Sequence, residues 1–288
     1  MSARGETRPA GDTSGAKPLL EARGLAKEFA QGRAFWGDTR EVQAFADVEL
    51  TIHAGTTLAL VGESGAGKST LARCLALLEK PTRGEIWFEG ADLLKLGKRE
   101  LRGMRRKIQM IFQDPTSALN PRMSAAEIVM EPLVIQGIGT RQEQRARALE
   151  LMESVALGTE SAEKRPLEFS GGQRQRLAIA RALALEPRLV ILDEACSGLD
   201  LRSQELILGL LGHLQRAMGM AFVYVSHDLR SVAEFADEIA VMKDGRIVER
   251  KTTEELFRRP SDAYTRELLE AMPSMESICE QRLAGAAR

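Results

Sequence analysis

The stretch Gly62-Glu63-Ser64-Gly65-Ala66-Gly67-Lys68-Ser69-Thr70 constrains this chain more than any other. It follows an apolar run with strand character, Thr57–Val61, and leads directly into a helical pattern, Ser69–Leu78, that stops before Pro81. A strand that breaks into glycines and turns straight into a helix is suited to holding phosphate. Glycines let backbone N–H groups converge on phosphate oxygens with no Cβ in the way, and the helix start adds partial positive charge. Lys68 is placed to contact the β and γ phosphates, and the Ser69 hydroxyl to ligate a Mg²⁺ that bridges them. Gly62, Ser64, Gly65, Ala66, Gly67 and Thr70 complete the expected cradle. The ligand is a nucleoside triphosphate, and the loop alone does not specify its base. An idle glycine-rich turn is a weak competitor: chance gives this spacing with a probability on the order of one in a hundred in a chain of this length, before the flanking strand and helix are required.

Two further features gain meaning beside that loop. Leu189-Val190-Ile191-Leu192 is an unbroken apolar run of strand length that delivers Asp193 and Glu194 at its end. In an open parallel sheet that edge is where ligands bind. Asp193 is therefore the candidate partner for Mg²⁺, through water, and Glu194 the candidate to orient or deprotonate an attacking water. Ser170-Gly171-Gly172-Gln173 precedes the helical run Arg174–Leu185, so a Ser N-cap and two glycines expose unpaired N–H groups at a second helix start. In isolation this is an ordinary capped helix; with the first loop present, it reads as a second anion site.

Strand-like runs at Leu20–Phe29, Val42–Ile52, Thr57–Val61, Glu85–Phe88, Ile108–Phe112, Leu189–Leu192, Ala221–Val225 and Glu238–Met242 alternate with helical patterns, which argues for an α/β sheet. One helix is expected over Gln142–Leu157 with Gly158 at its C′ position, and another over Glu205–Met218 ending at Gly219. Asp244-Gly245 marks a hairpin. The helix-rich stretch from about Ser117 to Glu186 is expected to be an inserted subdomain. The 40 basic against 41 acidic residues remove the electrostatic footprint of a nucleic-acid binder. Cys74, Cys196 and Cys279 show no metal-binding spacing and fit a reducing compartment. No segment reaches the roughly 18 apolar residues of a membrane span, so any membrane role needs a partner to hold the chain there.

Taken together, these segments resemble the ATP-binding cassette family. Phe169-Ser170-Gly171-Gly172-Gln173 is similar to its signature motif, with Phe where Leu is more usual. Asp193-Glu194-Ala195-Cys196-Ser197-Gly198-Leu199-Asp200 is similar to its Walker B and D-loop segment, with Ala195, Cys196 and Gly198 replacing the commoner Pro, Thr and Ala. Gln113 matches the Q-loop and His227 the switch histidine. The resemblance implies a P-loop NTPase core sheet with an antiparallel β subdomain and the inserted helical subdomain. Residues 18–255 would form the cassette with its helical part at about 117–186, after a disordered tail at 1–17 and before a short extension at 256–288.

It also implies roles. Ser170, Gly171, Gly172 and Gln173 of one cassette would close on ATP held by the phosphate loop of another, identical or different. Gln113 would sense Mg²⁺, Glu194 and His227 would serve hydrolysis, and an aromatic would stack on adenine. Phe29 aligns best for that stacking, with Trp36, Phe35 or a core role for Phe29 as alternatives. Transmembrane permease subunits would dock on the stretch from Gln113 to about Gln136, placing the chain peripherally on the cytoplasmic face of the plasma membrane. Phe112-Gln113-Asp114-Pro115-Thr116-Ser117-Ala118-Leu119-Asn120-Pro121-Arg122 and Pro260-Ser261-Asp262-Ala263-Tyr264-Thr265-Arg266-Glu267-Leu268-Leu269 resemble the oligopeptide, dipeptide and nickel importer group. With Cys279 alone near the end, no iron–sulfur centre is expected. A non-transport ATPase of the same family and an ATP-binding scaffold are the competing readings. The single cassette, with no long heptad insertion between Lys68 and Ser170 and no basic excess, disfavours the first. The presence of both Glu194 and His227 disfavours the second.

Overall fold

Two sheets of different character share one phosphate loop. The computed structural model describes residues 17–31 and 40–271. The expected tail up to Ala16, Phe35, Trp36 and Cys279 lie outside them. An antiparallel sheet is built from β1 (Leu20–Gln31), β2 (Arg40–Ile52), β4 (Arg83–Phe88) and β5 (Ala91–Asp92) in the order β2-β1-β4-β5. The larger sheet runs β10-β9-β3-β8-β7-β6, from β3 (Thr57–Val61), β6 (Ile108–Ile111), β7 (Leu189–Asp193), β8 (Ala221–Val225), β9 (Glu238–Lys243) and β10 (Arg246–Thr252). All its pairs are parallel except the β9–β10 hairpin. Asp244 and Gly245 turn that hairpin, both with positive φ, as a two-residue turn of the primed type requires.

The apolar runs are explained by burial on both faces. Leu58 and Leu60 of β3 join one core, with Leu189 and Ile191 of β7 and Val223 of β8. Ala59, Val61, Val190, Leu192, Phe222 and Tyr224 point the other way into a second core. With period-two alternation, both sets must be apolar, so strand and run coincide. The first core is closed by the antiparallel sheet and by α1 (Lys68–Leu75), and α2 (Lys98–Lys107) leads into β6.

The β6–β7 connection carries α3 (Pro115–Ala118), α4 (Ala125–Gln136), α5 (Arg141–Ser154) and α6 (Gly171–Leu183), the helices expected as an insertion. Capping boxes start three of them, at Ser124, Thr140 and Ser170. The end of α5 departs from the sequence expectation. Gly158 is not its C′ residue: the helix stops at Ser154, and Ala156 takes the left-handed position with φ 55°. The Leu157 N–H bonds to the Met152 carbonyl and that of Ala156 to Glu153, the paired bonds of a Schellman end. Leu157 and Met152 are both buried, and that burial offsets the strain at a non-glycine residue.

After β7 come α7 (Leu201–Met218), capped by Asp200 and stopped at Gly219, and α8 (Leu229–Phe235), capped by Asp228. The chain then runs through α9 (Thr253–Arg258) and α10 (Ala263–Glu270), which pack Leu256, Tyr264 and Leu269 into the second core. No described helix is long and apolar enough to cross a membrane.

Candidate nucleotide site

Because β3, β6, β7 and β8 run parallel, the segments that follow them gather at one edge. The phosphate loop leaves β3, and its geometry is set by what stands behind it. Gly62 has φ 144°, and a Cβ there would overlap the Met242 carbonyl; Gly67, at φ 98°, backs on the Ala44 carbonyl in the same way. Lys68 is buried, and its Nζ donates to the carbonyls of Gly62 and Glu63, both at 2.7 Å. Burial lowers its pKa against the pull of Glu194, Asp193 and Glu63.

One turn into the site, the Ser69 hydroxyl donates to Asp193 Oδ1 at 2.7 Å. Burial raises the Asp193 carboxyl, while the Ser69 hydrogen bond and the charges of Arg73 and Lys68 oppose it. The sequence places these two residues 124 positions apart. A hydroxyl and a carboxylate at this distance form a hard-oxygen pair that suits Mg²⁺, an ion that takes few protein ligands and fills its octahedron with phosphate and water.

Glu194 is the meeting point of three strand ends. Its backbone takes φ 48°, a conformation costly for a non-glycine residue, and is held there by its N–H on the Val225 carbonyl at 3.0 Å. The Ser197 hydroxyl donates to the Glu194 carbonyl at 2.8 Å. Gln113, beyond β6, donates from Nε2 to Glu194 Oε2 at 2.8 Å. His227, beyond β8, brings Nδ1 within 3.6 Å of Oε1. Gln113 thus enters the site through Glu194 rather than through the Ser69–Asp193 pair. A cleft of about 230 Å³ opens beside them, lined by Glu194, Ser197, Gln204, His227 and Asp228. Here a carboxylate with a histidine on one side and an amide on the other can orient a water and accept its proton.

The second glycine loop stands apart in kind. Ser170 accepts the Gln173 N–H at 3.3 Å, and Gln173 Oε1 accepts the Ser170 N–H at 2.9 Å. The side chain of Gln173 is therefore engaged in capping α6. Gly171 and Gly172 lie against Leu199 and Ser203, at the start of α7. Phe29 is exposed on β1 opposite Val42, with the Lys27 ammonium 4.8 Å from its ring centre. Its 39% exposure rules out the core role.

Burial pushes the Cys74 thiol up to about 11 and that of Cys196 up to about 12, so neither is a thiolate nucleophile at neutral pH. Two contributors were given no role by the sequence. Gln204 donates to Asp228 Oδ2 at 3.0 Å, joining the start of α7 to the residue after His227. Tyr264 accepts the Glu63 N–H at 3.0 Å. Tyr264 lies in the Pro260–Leu269 resemblance, which gave it no role; the physical signal was that a buried tyrosine needs a partner for its hydroxyl.

Comparison with known proteins gives the chain a family. Residues 45–197 match the family model described as ABC transporter. The dipeptide transport ATP-binding protein DppF of Escherichia coli is 43% identical over 90% of this chain and 78% of its own length. Its namesake in Haemophilus influenzae is 42% identical over 90% of this chain and 79% of its own. Among solved structures, a dimeric post-hydrolysis state of the ATP-binding cassette MJ0796 with ADP and Pi superposes with a TM-score of 0.73. It is 33% identical and covers 82% of this chain and 99% of that one.

Proposed function

Since the chain belongs to the ABC transporter family and is its ATP-binding, ATP-hydrolysing subunit, we propose that it powers import of dipeptides or oligopeptides from the cytoplasmic face of a permease. The observation that carries the hydrolytic reading is the convergence of Gln113 and His227 on Glu194, next to the Ser69–Asp193 pair. The peptide assignment rests on what the relatives transport.

The phosphate loop and the start of α1 bind the triphosphate through backbone N–H groups, with Ser64, Gly65, Ala66, Gly67 and Thr70 in the cradle. Lys68 turns its ammonium from the Gly62 and Glu63 carbonyls to the β and γ phosphates. Ser69 and Asp193 would hold Mg²⁺, with Gln113 sensing it through Glu194; when bound, such an ion would supply charge neutralisation for the phosphates. Glu194 orients the attacking water and accepts its proton, and His227 supports the γ-phosphate. Phe29 stacks on adenine. Ser170, Gly171 and Gly172 close on the γ-phosphate of a second cassette, with Gln173 holding that helix start in shape.

Residues 18–255 form the cassette, and 256–288 its extension. The permease docks between the sheet and the inserted helices, where Phe112, Val134 and Ile135 are exposed apolar side chains.

Disrupting the gene and measuring uptake of a labelled dipeptide and of a labelled amino acid tests the reading. Dipeptide uptake should be lost, restored by the parent chain and not by Glu194→Gln, while amino-acid uptake persists. Undiminished uptake of dipeptides and longer peptides in the disrupted strain would sink the peptide assignment.

A further inference from the structure

The phosphate loop is braced from behind by a residue near the far end of the described chain. Tyr264 of α10 is 5% exposed, and its hydroxyl accepts the backbone N–H of Glu63, the second residue of the loop, at 3.0 Å. On its other side the same residue offers its carbonyl to Lys68 Nζ at 2.7 Å. One peptide segment is thus held between Tyr264 and the lysine that meets the phosphates.

The brace itself is fixed. The Lys243 ammonium lies 4.5 Å from the Tyr264 ring centre. Asp262 caps α10, accepting the N–H of Tyr264 at 2.8 Å. The turn before it is anchored on Glu249, 7% exposed, which accepts the N–H groups of Ser261 at 2.7 Å and Asp262 at 3.1 Å and pairs with Lys251 at 2.7 Å. Burial opposes ionisation of Glu249, but Lys251 and these donors outweigh it and bring its carboxyl down to about 2. A fixed anion therefore positions α10 throughout the neutral range.

A loop that binds phosphate through inward N–H groups needs its outward ones hydrogen-bonded elsewhere if its peptides are to keep one orientation. The Glu63 amide is an outward one. We propose that Tyr264 is a positioning residue for nucleotide binding, its hydroxyl fixing the Glu63 peptide and with it the backbone of the phosphate loop. This rests on the reading of residues 62–70 as the ATP phosphate loop. It gives the Pro260–Leu269 segment a part in the ATPase reaction.

Calorimetric titration with ATP, steady-state phosphate release and thermal unfolding of the full 288-residue chain test it on four proteins: the parent, Tyr264→Phe, Leu269→Ala and Lys68→Ala. Phe keeps the ring and its Lys243 contact and removes only the acceptor. Its Kd and KM for ATP should rise about fivefold, the weight of one backbone hydrogen bond, with kcat within about twofold and an unfolding temperature lowered by no more than about 2–4 °C. Leu269→Ala loosens the same helix; it should lower the unfolding temperature by several degrees and leave Kd unchanged. If Tyr264→Phe binds ATP like the parent while Lys68→Ala weakens binding at least about tenfold, the positioning role is overturned and the phosphate-loop reading stands. If Lys68→Ala has no effect, that reading falls and the proposal with it. Equal weakening by Leu269→Ala and Tyr264→Phe would assign the effect to packing and overturn the hydroxyl's role.

Discussion

The two glycine loops, 62–67 and 170–172, both open a helix, but glycine is required for different reasons. At Gly62 and Gly67 the backbone adopts positive φ, and a Cβ would strike the main chain at Met242 and Ala44. These glycines are demanded by the chain's own fold. Neither Gly171 nor Gly172 has positive φ, and a Cβ on either meets only side chains at ordinary contact, Leu199 at 3.8 Å and Ser203 at 3.6 Å. Nothing among the described residues calls for glycine there. Two glycines at an exposed, capped helix start, where alanine would serve folding better, indicate space kept for something that approaches from outside. On the function proposed above, the phosphate loop is a finished half-site, and the second loop is a surface that gains its purpose from another molecule.

The sharpest way to break this contrast is to bring the two loops together. Glu194→Gln keeps the shape of the side chain but cannot accept the water proton, so turnover should fall about 100-fold or more. ATP, and not ADP, should then drive the protein into a dimer, with its cognate cassette supplied if the pair is mixed. Adding Ser170→Arg should abolish that dimer by filling the outside site. Light scattering after size exclusion reads both results, and a monomer with ATP and partner present would count against the sandwich.

A smaller effect separates the loops by stability. Gly62→Ala should cost about 3 kcal/mol, through forced backbone strain and the overlap with Met242. A urea midpoint equal to the parent's would contradict it. Smallest in stability is Gly172→Ala, which should leave folding unchanged or improve it by up to about 1 kcal/mol. Its ATPase rate in the paired state should nevertheless drop about tenfold; a drop already present in ATP affinity of the isolated chain would place the loop in the wrong half-site.

The sequence was most legible where chemistry and local geometry coincide. The loop 62–70, the β7 run ending in Asp193 and the Asp244-Gly245 hairpin are each dictated by neighbours in sequence, and the strand bounds differ by a residue or two. What was not legible depends on distant atoms. Gly158 is the better left-handed residue by propensity, yet Ala156 takes that conformation because Leu157 and Met152 gain burial when the turn comes two residues sooner. The placement of β3 between β8 and β9 joins strands about 160 to 180 residues apart, and no local pattern encodes it. Gln204 lies outside every motif, and Tyr264 sits in the Pro260–Leu269 resemblance with no role legible there, because each acts on a capping side chain or an amide distant in sequence, which constrains an oxygen or a nitrogen rather than a recognisable spacing.

The brace on the phosphate loop also has a consequence in time. Glu63 and Tyr264 are separated by 201 positions, and Gly245, whose N–H bonds to the Ala66 carbonyl, lies nearly as far along. Ribosomes add about 5–20 residues per second, so roughly 10–40 s pass between synthesis of the loop and synthesis of the residues that hold it. Through that interval the nascent chain carries the nucleotide-binding segment without its supports. On the positioning role proposed for Tyr264, full affinity for ATP therefore arises only after that residue has been made.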